Sequence, residues 1–170
     1  MSDWTNRYEA EFLEPIAKNL SDTIKRDALA ALTWANAGAP LPNFKKVKKT
    51  NVGRVDTVFP VLAVLGLSTV PVWADNEKER IGESHQLTVE MALTGDDEEK
   101  LTSHCYRYVR AVAHIILGIS SDDLFKDMTA LANRRVDIEL DELNYDTTRK
   151  GGTKYVRRPF IDVTIRVMEV

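Results

Sequence analysis

From Lys154 to Val170 the chain reads KYVRRPFIDVTIRVMEV, and Ile161, Val163, Ile165 and Val167 alternate with Asp162, Thr164 and Arg166. A period of two with one apolar side predicts a half-buried β-strand whose inner face carries those four residues. Ser84 to Leu93 shows the same signature, with Leu87, Val89, Met91 and Leu93 against Gln86, Thr88 and Glu90. Arg135 to Tyr145 predicts another strand, with Val136, Ile138 and Leu140 inward. Glu139 and Asp141 then share the outer face.

Helical spacing appears between these strands. Tyr8, Phe12, Leu13, Ile16, Ala17 and Leu20 form one stripe. Ser21 or Asp22 is a cap for a second stretch carrying Ile24, Ala28, Leu29, Leu32 and Trp34. Pro15 either kinks the first stretch or begins it. Ala37-Gly38-Ala39-Pro40 ends the second, with the glycine as the left-handed cap. Leu101, Cys105, Tyr108, Val109, Val112, Ile115 and Ile116 make a further helical stripe, capped by an aspartate of Gly95-Asp96-Asp97 and stopped at Gly118. A short helix is expected around Asp123 to Leu131.

Val55 to Leu65 reads as an apolar strand that Pro60 pushes towards an edge or a bulge. A separate short strand, Thr69 to Trp73, follows Gly66. Asn76 to Gly82 reads as a charged turn. Asp146 to Thr153, with Gly151-Gly152, reads as a turn or mobile loop. The order predicts one α+β domain over residues 1–170: a mostly antiparallel sheet packed against an N-terminal helix and a central helix.

Composition narrows the function classes. The 170 residues are 44% hydrophobic and 29% charged, enough apolar content for a packed core. A net charge of -3 argues against wholesale coating of nucleic acid but permits local basic patches. Cys105 is the only cysteine, which excludes an internal disulfide and a cysteine zinc cluster. With the polar stretch Met1 to Tyr8, it points to assembly in a reducing cytoplasm. The most apolar run, Val58 to Val72, is short and broken by Pro60, Gly66 and Pro71, so no membrane span is expected.

Catalytic equipment is not evident. His104 and His114 lie ten apart on one predicted helix. At about 100° and about 1.5 Å per residue, their rings diverge by about 80° and about 15 Å and cannot share a metal. They and His85 read as surface or partly buried histidines. Glu139, Asp141 and Glu142 read as a solvated face, because an acid/base couple needs one carboxylate in an apolar pocket. Lys150, Gly151, Gly152 and Lys154 do not have the spacing of a phosphate-binding loop and read as a hairpin-like turn. No catalytic residue, cofactor or metal is expected, and the chain does not read as an enzyme.

Two basic clusters stand out: Lys45, Lys46, Lys48 and Lys49 with Arg54, and Arg149, Lys150, Lys154, Arg157 and Arg158 around the Gly-Gly turn. They serve either solubility or contact with an acidic protein surface or passing DNA. Trp4, Tyr8 and Phe12 on the first stripe either cover the domain's own sheet or form an interface between subunits.

The order of these elements resembles the tail terminator and tail-completion (neck) proteins of tailed bacteriophages. An amphipathic helix precedes VFPVLAVLG with its Phe59-Pro60. ESHQLTVEMAL follows, then the acid-capped DDEEKLTSHCYRYVRAVAHIIL, then VDIELDELNY and the final strand. The resemblance covers nearly the whole chain. It implies a structural virion protein forming a homo-oligomeric ring, commonly a hexamer, at the head-proximal end of the tail. Such a ring stops tube polymerisation, meets tail-tube or sheath and head-connector proteins, and surrounds a lumen that DNA crosses. The resemblance transfers no site residue. A small nucleic-acid-binding or regulatory domain is the alternative.

Overall fold

The computed structural model describes residues 13–48, 58–74, 80–126, 128 and 134–169. The fold is α+β, with a seven-stranded, mostly antiparallel sheet and helices on one of its faces. Helix α1 spans Leu13–Ala35, followed by strands β1 (Lys46–Lys48), β2 (Val61–Trp73) and β3 (Arg80–Gly95). Helix α2 (Glu98–Gly118) and the single turn α3 (Ser121–Leu124) come next, then β4 (Arg134–Asn144), β5 (Arg149–Gly151), β6 (Lys154–Arg157) and β7 (Phe160–Glu169).

The predicted break at Ser21 does not occur. α1 is continuous, and Ser21 is buried within it. A serine is a good cap but also survives mid-helix when tertiary packing outweighs propensity. Ile16, Leu20, Ile24, Ala28, Ala31 and Leu32 form the buried stripe, whereas Leu29 and Trp34 are exposed, against expectation. The helix ends in a Schellman turn, with Gly38 N–H on the Thr33 carbonyl at 2.9 Å and Ala37 N–H on that of Trp34 at 3.2 Å. Ala37, not Gly38, takes the first left-handed position, at φ 54°, and Gly38 follows at 87°.

α2 follows its predicted stripe. Leu101, Cys105, Tyr108, Val109, Val112, Ile115 and Ile116 are all buried, and Asp97 caps the helix by accepting the Lys100 N–H at 2.8 Å. Of the helix expected at Asp123 to Leu131, the described residues hold only the end of the four-residue α3, and residues 127 and 129–131 lie outside the described ones. Asn19, buried on α1, holds α3 by donating Nδ2 to the carbonyls of Leu124 and Lys126 at 2.9 and 3.0 Å.

The two predicted strands at Val55 to Leu65 and Thr69 to Trp73 form one strand, β2, beginning after Pro60. Gly66 marks a bulge at Gly66/Ser68, not a turn. A side chain at Gly66 would run into Leu13, whose Cγ lies 2.5 Å from where a Cβ would sit. β3 pairs with β2 along nearly its whole length and with β7 from Gly82 to Glu90, and the described part of the predicted charged turn from Arg80 onward belongs to it. On β3, His85, Leu87, Val89, Met91 and Leu93 face the core.

β4–β5 and β6–β7 form one long antiparallel ribbon from Arg134 to Glu169, turning at Gly152–Thr153. Its base, β4 with β7, completes the main sheet. Ile161, Val163, Ile165 and Val167 are buried there, with Val136, Ile138 and Leu140 packed beside them. The final strand is interrupted at Arg158–Pro159, but its register on β3 carries through the gap, with the Met91 N–H on the Pro159 carbonyl at 2.9 Å. β6 pairs with the end of β3 and with β5, so Arg157 and Tyr155, which share the parity of Leu93, turn towards α2 while Val156 and Lys154 face the other way.

Candidate interface surfaces

Polar contacts surround the interruption of the ribbon at Arg158–Pro159. Asp146 adopts φ 54°. Its Oδ2 accepts the Arg158 N–H at 3.0 Å, and its carbonyl accepts Arg157 Nη2 at 2.7 Å. Its own N–H donates to Asn144 Oδ1 at 2.9 Å. Arg157 is only 7% exposed and lies 5.8 Å over the Tyr106 ring. Tyr106 meets Tyr145 edge-on, and the Cys105 thiol donates to the Tyr145 carbonyl at 3.3 Å. Burial pushes that thiol up to about 11, with Arg157 pulling it down and Asp146 raising it. The Asp146 to Thr153 segment, expected as a turn or mobile loop, is therefore pinned at its root. Only its outer end is a turn, where Gly152 has the φ of 68° that a glycine accepts freely.

This framework presents the second basic cluster. Arg149, Lys150 and Lys154 are exposed on the tip together with Gly151 and Gly152. Arg149 lies 3.8 Å from Asp146, while Lys150 and Lys154 have no carboxylate partner among the described residues. Arg157, counted with this cluster in the sequence, turns inward instead.

The first cluster sits at the other side of the sheet. Lys46 and Lys48 belong to β1, the short parallel edge strand, and Lys45 donates its N–H to the Pro60 carbonyl at 2.9 Å just before it. Leu41 and Phe44 are buried beneath this segment. Phe44 packs on Tyr108 at 5.4 Å, and the Tyr108 hydroxyl donates to the Pro42 carbonyl. Burial raises the Tyr108 hydroxyl well above its usual range. Lys49 and Arg54, like Trp4, Tyr8 and Phe12, lie outside the described residues. The described members of the two basic clusters lie on separate elements, with β1 and β5 at opposite ends of the strand order.

Strand pairing and helix packing assemble several further surfaces. The sheet face away from the helices carries Glu90, Asp137, Glu139, Asp141, Glu142 and Asp162. The long strand β2 has no second strand partner beyond Ala63 among the described residues, carries no charge, and leaves Leu67, Val70 and Trp73 58%, 50% and 52% exposed. An open groove of about 340 Å³ lies between α1 and α2, lined among others by Ala31, Ile115 and Gly118. Trp34 stacks on His114 there at 4.5 Å, and Arg110 lies 5.3 Å over the indole. On its other wall Arg26 bonds both Asp27 and Asp123, which holds those carboxyls below the usual range and raises the guanidinium.

The histidines are far apart in environment. His85 is fully buried, a correction to its reading as surface or partly buried, because its position on β3 shares the parity of Leu87 and Val89. Its Nδ1 meets Thr69 Oγ1 at 2.9 Å, and its Nε2 is 3.7 Å from Glu83. His104 is held below its usual range by burial, then by Lys100 and Arg107. Among the described residues no group of acidic, histidine or cysteine side chains converges to hold a metal ion. No described helix is long and apolar enough to cross a membrane.

The chain matches none of the known protein-family models and none of the curated proteins with which it was compared.

Proposed function

We propose that this protein is a structural subunit that assembles into a ring in the neck of a tailed-phage virion, terminating the tail tube and joining tail to head. The order of elements supports the reading through the resemblance given above. The observation that carries it is the ribbon tip: a pinned, exposed hairpin presenting Arg149, Lys150 and Lys154 outward, suited to a protein–protein contact. Open sheet edges and charged faces make up much of its described surface. The ring would be homo-oligomeric, with tail-tube, sheath or connector proteins as neighbours.

Electron microscopy of the purified protein and of particles assembled without it tests this reading. Closed rings of fixed subunit number are expected, and tails made without the protein should vary in length and fail to join heads. Normal, joined tails in its absence contradict the proposal. A second reading, nucleic-acid binding, is favoured by Lys45 and Lys46 on an exposed edge. Salt-dependent binding to duplex DNA by the isolated protein, lost on changing Lys45 and Lys46 to Glu, would favour it.

A further inference from the structure

We infer that the root of the ribbon tip is a binding site for a carboxylate, which the guanidinium of Arg157 receives beneath the Tyr106 and Tyr145 rings. Arg157 shares the inward parity of Leu93 and is 7% exposed. Its Nε and Nη1 are buried and have no hydrogen-bond partner. Only Nη2 is matched, by the Asp146 carbonyl. The Asp146 carboxylate is engaged elsewhere, with Oδ2 on the Arg158 N–H and Oδ1 3.8 Å from Arg149. The Cys105 thiol nearby is kept protonated by burial, so it supplies no counter-charge either. A buried cation without a counter-charge is costly, and arginine cannot escape that cost by losing its proton. Arg26 shows the contrast. It is exposed, yet Asp27 and Asp123 together accept from all three of its nitrogens. The chain matches an outer guanidinium fully and leaves the inner one with a single carbonyl.

The surroundings point to the ligand. Arg157 Cζ lies 5.8 Å from the Tyr106 ring centre, and that ring meets Tyr145 edge-on at 5.1 Å. Both tyrosines are exposed, so one layer of aromatic rings separates the cation from solvent. Exposed side chains change rotamer within nanoseconds, and a turn of Tyr106 opens the way to Nε and Nη1. A carboxylate is planar, slender and singly charged, and it matches a guanidinium with short, charge-assisted hydrogen bonds. A phosphate dianion is bulkier and brings a second negative charge close to Asp146, whose field already reaches Cys105. The carboxylate comes either from a small free acid or from an aspartate or glutamate of another copy of the chain. The site needs no assembly, so it stands or falls apart from the ring reading.

The test is an acetate titration of the full chain, followed at the Arg157 Nε–H resonance by heteronuclear NMR, with chloride at matched ionic strength as the control. Saturable movement with acetate and not with chloride is expected. The amide shifts of Cys105 and Tyr106 give the affinity in each variant. Arg157→Met, similar in length and uncharged, should bind acetate at least about tenfold more weakly. Lys18→Ala, which removes a surface cation on α1, should bind it as the parent does. Sedimentation velocity in the same series separates the two sources. An oligomer that acetate dissociates assigns the carboxylate to another copy, and an unchanged profile beside saturable binding assigns it to a free acid. A resonance that stays still, or moves equally in chloride, overturns the site, as does parental affinity in a folded Arg157→Met variant. If that variant does not fold, the parent's own resonance decides.

Discussion

The two ends of the ribbon from Arg134 to Glu169 are made of the same chain but held by different forces. At its base, four consecutive inward positions of β7 are buried against the helices, so area removed from water holds the strand. At its tip, most residues of β5 and β6 are exposed or only partly buried. A few polar contacts around Asp146 and Arg157 hold the shape there. The base sets whether the chain folds, and the root of the tip sets where three cations point.

The largest effect should come from the base. Val163→Asp places a carboxylate in the fully buried face of β7. The expected cost is about 3–5 kcal/mol, enough to unfold the chain, read as loss of the cooperative thermal transition. A variant melting like the parent would mean that burial does not hold the base.

The root of the tip should respond more locally. Asp146→Ala removes the acceptor of the Arg158 N–H and puts a less tolerant residue at φ 54°. A loss of about 2 kcal/mol is expected. Amide exchange should accelerate across residues 149–157 while β7 stays protected. Equal acceleration in both regions would erase the distinction drawn here.

Cys105 tests the same root by pH. Its thiol is raised from 9.0 to about 11 in the folded chain, so the folded state holds a proton that the unfolded state releases first. The contribution is complete below about pH 9 and is lost as pH rises through about 11, roughly 1–2 kcal/mol over that window. Denaturant unfolding at two pH values, with Cys105→Ala beside the parent, checks it: the variant should show a shallower decline. Tyr108, raised too, steepens the fall above pH 10 in both proteins.

The smallest effect is expected at Gly152. Alanine there strains a residue at φ 68°, costing about 1 kcal/mol, with nothing nearby for the new methyl to strike. Amide exchange should quicken only at the turn. A global loss of stability would mean that the tip is part of the core.

The contrast also separates what the sequence reveals from what it hides. Wherever burial dominates, the pattern was readable: the parity of β7 and β4, the stripe of α2 and the cap at Asp97 all follow from hydrophobic spacing. Local signals misled where tertiary contacts overrode them. Gly66 reads as a break, but it makes room for Leu13 within one strand. Ser21 reads as a cap, but packing carries the helix through it. Asp146 to Thr153 reads as a loop because its glycines and charges are turn-like, and the partners that pin it, Arg157, Arg158 and Asn144, are recognisable only once the ribbon is paired. The acidic face looked like ordinary solvation. Its clustering depends on register, since only pairing brings Glu142 opposite Asp162. His85 shared the parity of its apolar neighbours, and that cue was available. Nothing local marks the groove between α1 and α2, because it is made where two distant helices meet.

Sedimentation velocity of the unaltered protein across a range of ionic strengths tests the central claim, that the chain assembles with itself through its exposed charged surfaces. The account predicts one defined oligomer at low salt that dissociates to subunits as salt rises. A monomer at every concentration and ionic strength, or an oligomer indifferent to salt, would contradict it.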